Sequence, residues 1–214
     1  MKKINIETWN RKEIFDFFSP ISNPFYMVTF RQDVTDLYNY VKEKNLSFYY
    51  SMCYLVTKAM NQVDAFQYVI QEQEVYKIEG RNPSFTDLKE NAEVFHIVTM
   101  KLEGTIDEFC LRAKETSENQ KGFIDMNAET EDLLYISCLP WLDITGITNE
   151  RDLLAPNAKD DSVPRIAWGK YVEENGRKVL GISLEVNHRL IDGVHIGMFA
   201  QKLSEEIQKL VEKE

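Results

Sequence analysis

Apolar and polar positions along the chain switch between a spacing of two and a spacing near 3.6, the signature of strands and helices mixed in one sequence. Asn10 offers a capping side chain with Glu13 three positions on, and with Phe15 and Phe18 behind it predicts a short N-terminal helix. Phe25 to Phe30 is β-rich. Asp33 or Thr35 can cap a helix through Lys44, and Ser47 a second, largely apolar helix to about Asn61 that reads as buried. Short β-like pieces follow at Tyr68 to Ile70 and Val75 to Ile78, then a strand over Val94 to Leu102 and a helix over Thr105 to Glu118.

The last third is more regular. Leu133 to Leu139 is a short apolar run ending at Pro140-Trp141, and Ala155 to Pro164 is a polar loop with two prolines, expected to be the least ordered segment. Arg165 to Val172 and Lys178 to Val186 are two β-patterned runs joined across Asn175-Gly176, a pair that accepts the positive φ of a hairpin turn. The chain closes on an amphipathic helix with Ile196, Phe199, Leu203, Ile207 and Leu210 on one side. No repeat or linker divides it, so the expectation is one α+β domain over residues 1–214.

Composition narrows the function classes. With 35 acidic against 25 basic residues the formal charge is −10, the wrong sign for neutralising nucleic-acid phosphates or anionic lipid. No apolar run approaches a membrane span, and Met-Lys-Lys is followed by polar Asn5, Glu7 and Thr8 instead of a signal-peptide core, so the expected setting is cytoplasmic. Cys53, Cys110 and Cys138 lie far apart in apolar segments and read as buried thiols, neither a disulfide framework nor zinc ligands. Metal clusters, P-loops and Gly-x-Gly-x-x-Gly turns are missing from the sequence.

Candidate chemistry concentrates at Asn187-His188-Arg189-Leu190-Ile191-Asp192-Gly193, between the last strand and the last helix. A neutral imidazole there can take a proton from a hydroxyl at neutral pH, which makes His188 a candidate general base. The same spacing also fits a His188 that packs the turn, an Asp192 that caps the last helix and a Gly193 that eases its entry. His195 falls in the first helical turn and reads as structural, and His96 as packed within its strand.

With His188-Arg189-Leu190-Ile191-Asp192-Gly193 in view, the sequence resembles the chloramphenicol acetyltransferase family. Trp9-Asn10-Arg11-Lys12-Glu13-Ile14-Phe15 is similar to that family's Trp-x-Arg-(Lys/Arg)-Glu-x-Phe segment, and Phe48-Tyr49, Pro140-Trp141, Ala155-Pro156 and Gly169-Lys170-Tyr171 follow in the family's order. Acyltransferase cores of 2-oxoacid dehydrogenase complexes share the His-Arg-x-x-Asp-Gly hexapeptide, but the N-terminal segment selects the first family. The resemblance implies a two-layer α/β sandwich with a mixed sheet. It implies a homotrimer with active sites at subunit interfaces, acetyl-CoA as co-substrate and no metal. It also implies direct transfer of acetyl to a hydroxyl of chloramphenicol, the basis of antibiotic resistance, or of a similar small acceptor. His188 would be the base, Asp192 and Arg11 its structural support, and Tyr171 a residue of the CoA side. Phe17 and Phe18 match acceptor-pocket positions; as residues of a short helix they read equally as core.

Three positions depart from the family. Where it places an oxyanion-binding serine, this chain has Gly146, and a threonine before the Gly-Lys-Tyr triplet is Ala167. Removing one such donor typically costs about 10²-fold or more in turnover. The expectation is therefore an acetyltransferase of reduced activity, with an inactive trimeric CoA- or small-molecule-binding relative as the alternative. Asn187 stands where many family members carry a second histidine.

Overall fold

The computed structural model describes residues 1–212. Five α-helices occur among them: α1 (Lys12–Phe18), α2 (Thr35–Lys44), α3 (Phe48–Met60), α4 (Ile106–Asn119) and α5 (Gly193–Gln208). One sheet joins β2 (Phe25–Asp33), β10 (Arg177–Asn187), β8 (Arg165–Gly169), β7 (Leu133–Leu139), β5 (Asn82–Asp87) and β6 (His96–Thr99) in that order, with β9 (Val172–Glu174) added on β10. A small sheet of β1 (Lys2–Lys3), β4 (Glu74–Lys77) and β3 (Tyr68–Gln71) flanks it. In the large sheet β5, β7 and β8 run parallel and the other pairings are antiparallel, so the expected α+β mixed sheet is present.

The caps explain where several helices begin. Ser47 Oγ accepts from the Tyr50 N–H at 3.3 Å, and Thr105 with Glu108 forms a reciprocal capping box. At α2 the N-cap residue is Val34, which makes no side-chain cap bond; Asp33 Oδ1, one residue earlier, accepts from the backbone N–H and the hydroxyl of Thr35. At α1 the structure differs from expectation. Arg11, not Asn10, is the N-cap residue, and no side chain caps the helix, since a guanidinium carries donors only and cannot accept a helix N–H.

Strand alternation sets the two faces of the sheet. Leu180, Ile182, Leu184 and Val186 of β10 join α3 and α5 in one buried core that also takes Phe66, Phe109, Trp168 and Phe199. Ser183, Glu185 and Asn187 point to the opposite face. The stretch 142–147 runs across that second face: a β-carbon at Gly181 would stand 2.5 Å from the Ile144 carbonyl, so the backbone approach requires glycine there. The Asn175-Gly176 turn has φ of 51° and 76°, as the pair suggests.

Two expected strands are shorter than their apolar patterns. Of Val94 to Leu102 only His96–Thr99 pairs, with Val94 and Phe95 exposed. The run Arg165 to Val172 breaks after Gly169, whose neighbour Lys170 donates its N–H to the Leu142 carbonyl of the crossing segment. Backbone diverted to that segment is lost to the ladder.

Candidate active site

The turn after β10 is fixed from several sides. His188 N–H donates to the Pro24 carbonyl at 2.8 Å, and its own carbonyl accepts from Arg11 Nη2 at 2.8 Å. Arg11 Nε donates to the Arg189 carbonyl at 2.7 Å. The rest of the guanidinium grips Asp192 through both terminal nitrogens, Nη2 to Oδ1 at 2.7 Å and Nη1 to Oδ2. One buried arginine on the segment before α1 thus holds three points of a turn almost the whole chain away. These hydrogen bonds keep the Asp192 carboxyl below the usual carboxylate range against the upward push of burial.

The imidazole of His188 lies between two aromatic rings, Phe18 stacked at 4.1 Å between centroids and Tyr26 at 4.2 Å. The side chain keeps 32% exposure, so it is packed yet open to a reaction partner. Burial lowers its pKa from the ordinary histidine value; Asp192 opposes that shift and Arg11 adds to it. The ring is therefore neutral at neutral pH and able to accept a proton. Nε2 stands 3.5 Å from Asp192 Oδ1, beyond a good hydrogen bond, and the carboxylate is already spent on Arg11.

His188, Asp192, Arg11 and Phe18 are brought together, while Phe17 meets Phe18 edge-on and is 69% exposed, so it is not helix core. Asp192 does both jobs left open for it, N-cap residue of α5 and partner of Arg11. His195 Nδ1 accepts the Asp192 N–H at 2.9 Å, the expected structural role. His96 is buried, with Nε2 3.0 Å from Ser117 Oγ.

A second group lies apart from the first. Thr29, Ser183 and Ala167 stand in one cross-strand row on the second face of the sheet. Gly146 rests above that row: its β-carbon position would be 3.5 Å from Thr29 Oγ1. Tyr171 is farther still, half-buried against Tyr38 at 5.4 Å with Lys178 Nζ 5.3 Å over its ring. Along β10, Ser183 precedes Asn187 by four residues and Val179 by eight, about 13 and 26 Å of extended strand. Within one chain the second group and the imidazole do not meet.

Sequence reasoning missed the residues that tie the polar loop to the turn. Asn187 Nδ2 donates to the carbonyls of Lys159 and Asp161 at 2.8 and 3.0 Å, and Arg189 Nη2 reaches Asp160 Oδ1 at 3.0 Å. The end of that loop is consequently pinned. Arg151 and Arg165 converge on Asp161, and Arg151 Nε also meets Glu185 at 2.5 Å with its guanidinium stacked on Phe25. The only sequence signal for this was charge in a segment otherwise full of turn residues. Among the described residues no cluster of His, Cys, Asp and Glu is placed to hold a metal ion, and no helix is long and apolar enough to cross a membrane.

A family model described as chloramphenicol acetyltransferase matches residues 1–204. Chloramphenicol acetyltransferase 3 of Escherichia coli is 28% identical over 206 residues, covering 95% of each chain. A chloramphenicol acetyltransferase of Clostridium perfringens is 26% identical, covering 94% of this chain and 92% of its own. A solved chloramphenicol acetyltransferase superposes with a TM-score of 0.86 at 23% identity, over 96% of this chain and 99% of that one. A probable dihydrolipoamide acetyltransferase from Listeria monocytogenes superposes at 0.65 with 12% identity, over 98% and 95%. The two structural likenesses speak to the fold alone, whereas the family match spans nearly the whole sequence. This chain belongs to the chloramphenicol acetyltransferase family.

Proposed function

We propose that the protein is a cytoplasmic acetyl-CoA-dependent O-acetyltransferase, one domain over residues 1–214, acting on chloramphenicol or a similar small hydroxyl compound. The observation that carries this is the His188 imidazole, neutral, partly exposed and clamped between Phe18 and Tyr26 on a turn locked by Arg11 and Asp192. In this reading His188 takes the acceptor's hydroxyl proton as the oxygen attacks the acetyl carbonyl. A tetrahedral oxyanion forms, the carbon–sulfur bond breaks, and the proton passes from His188 to the departing CoA sulfur. Asp192 positions the turn and does not relay the proton.

The separation along β10 supports a site shared between copies, which in this reading is a homotrimer. An imidazole at one end of the strand can meet the 142–147 segment and Tyr171 only if those come from a neighbouring copy. Phe17 and Phe18 then line the acceptor side, the exposed Phe17 covered by the neighbour. Tyr171 with Lys178 offers a ring face and an ammonium group, suited to the nucleotide end of CoA.

The test is thiol release from acetyl-CoA with chloramphenicol and a panel of other small alcohols. Turnover abolished by His188→Ala in a chain that still folds and assembles is the expected result; no release by the wild-type chain with any acceptor overturns the reading. Gly146 and Ala167 favour a second reading, a trimeric binding protein that has lost catalysis. A rise in melting temperature with CoA and no turnover would select it.

A further inference from the structure

Hydroxyl attack on a thioester places negative charge on the former carbonyl oxygen, and a pre-aimed donor for that charge is a large part of such catalysis. Gly146 has no side-chain donor, but it leaves a neighbouring hydroxyl uncovered. Thr29 Oγ1 lies 3.5 Å from where a β-carbon at position 146 would stand, and Thr29 is exposed on the sheet face that the 142–147 segment crosses.

The hydrogen bonds around Thr29 have a direction. Ile147 N–H donates to Ser183 Oγ at 3.1 Å, which uses Ser183 as an acceptor. Ser183 is buried, and Thr29 Oγ1 at 3.2 Å is its one other partner among the described residues. A buried hydroxyl proton without an acceptor is costly, so Ser183 donates to Thr29. Thr29 then accepts from below, and its own proton is left for whatever occupies the open side. Each donor in the chain from Ile147 through Ser183 to Thr29 strengthens the next. On the third strand of the row Ala167 presents only a methyl group, so no rival acceptor draws the Ser183 proton away.

We propose that the Thr29 hydroxyl, polarised by Ser183 and uncovered by Gly146, is the side-chain donor to the oxyanion in this chain. The inference rests on the acetyltransferase reading above. It replaces the expectation that the glycine leaves the oxyanion with no side-chain donor.

Steady-state kinetics on the assembled protein test it, with acetyl-CoA and whichever acceptor the panel identifies. Thr29→Val and Thr29→Ala both delete the hydroxyl, one keeping the bulk and one not, so the test stands if either assembles. The expected result is a kcat lower by about 10²-fold with the KM for acetyl-CoA unchanged. Thr29→Ser recovers most of the loss, and Gly146→Ser added to Thr29→Val recovers part by supplying a hydroxyl from above. Wild-type turnover that survives both deletions overturns the inference alone, as does a loss that Thr29→Ser fails to recover. No turnover by the wild-type chain removes the acetyltransferase reading and this inference with it.

Discussion

Asp192 is where capping and ion pairing converge, and its neighbours decide what each substitution does. Arg11→Met would strand the carboxylate and remove donors from the carbonyls of His188 and Arg189. The expected cost is about 3 kcal/mol, the low end for breaking a buried pair because Asp192 keeps partial contact with water. Arg11→Lys should recover little, since one ammonium cannot reach three separate acceptors; urea unfolding of the three chains measures both. If His188 is the base, the acid limb of the kcat/KM profile reports on it. Only the neutral ring accepts a proton and burial lowers its pKa, so activity should hold down through the ordinary histidine range and fall only below about 6.5. A limb centred above that value would mean that His188 is not the titrating base. The turn and its histidine were legible because the hexapeptide and the Trp-x-Arg segment are local patterns. That Phe18 and Tyr26 sandwich the ring was not, since stacking depends on how α1 and β2 converge.

Elements are held by residues the hydrophobic pattern does not flag. Arg81 is buried, and its guanidinium donates to the carbonyls of Phe66, Tyr68, Glu131, Leu133 and Ser162. It joins the start of β3 and the edge of β7 to the loop at 162, a role a charged residue in a turn-like stretch gives no hint of. Glu206 does the same between helices. Lys58 of α3 and Lys209 approach its buried carboxylate at 2.8 and 2.6 Å, and Gln62 Nε2 donates at 3.0 Å. Burial pushes this carboxyl up, but hydrogen bonds from Lys209, Lys58 and Gln62 bring it down to about 2. A carboxylate lowered in the folded state contributes stability above its unfolded pKa, and that contribution fades as pH falls through the folded value. Glu206→Gln should therefore cost about 1–3 kcal/mol at pH 7, and the gap to wild type should narrow between about pH 4 and pH 2. Denaturant melts at several pH values measure it; a gap that does not change with pH would rule out the carboxylate charge as the source. The apolar stripe of α5 is legible in the sequence, whereas Glu206 on its buried side looks like one more exposed acid in an acidic chain.

At the scale of the molecule, the proposed site divides into two groups of residues that lie apart within one copy, the His188 turn and the face crossed by 142–147. The α+β character followed from the apolar patterns, which register what is buried within a chain, and the layers and mixed sheet from the family resemblance. Assembly leaves a weaker trace: Phe17, Trp141 and Leu154 are 69, 70 and 95% exposed, and a sequence does not separate such residues from core until the fold is known. If His188 acts on a substrate held by the neighbour's 142–147 segment, defects in the two half-sites must complement. His188→Ala removes the base, and Gly146→Phe fills the cleft over Thr29 and Met27 without touching the turn. Each chain alone should be inactive. Unfolded together at equal amounts and refolded into mixed trimers, they place an intact histidine against an intact cleft with a chance of one half times one half. About a quarter of wild-type activity should return. Chains refolded separately and mixed only afterwards should stay inactive as long as their subunits do not exchange. Zero recovery in refolded mixtures that are shown to co-assemble would place base and cleft on the same copy, and a substrate site between neighbours would then be wrong.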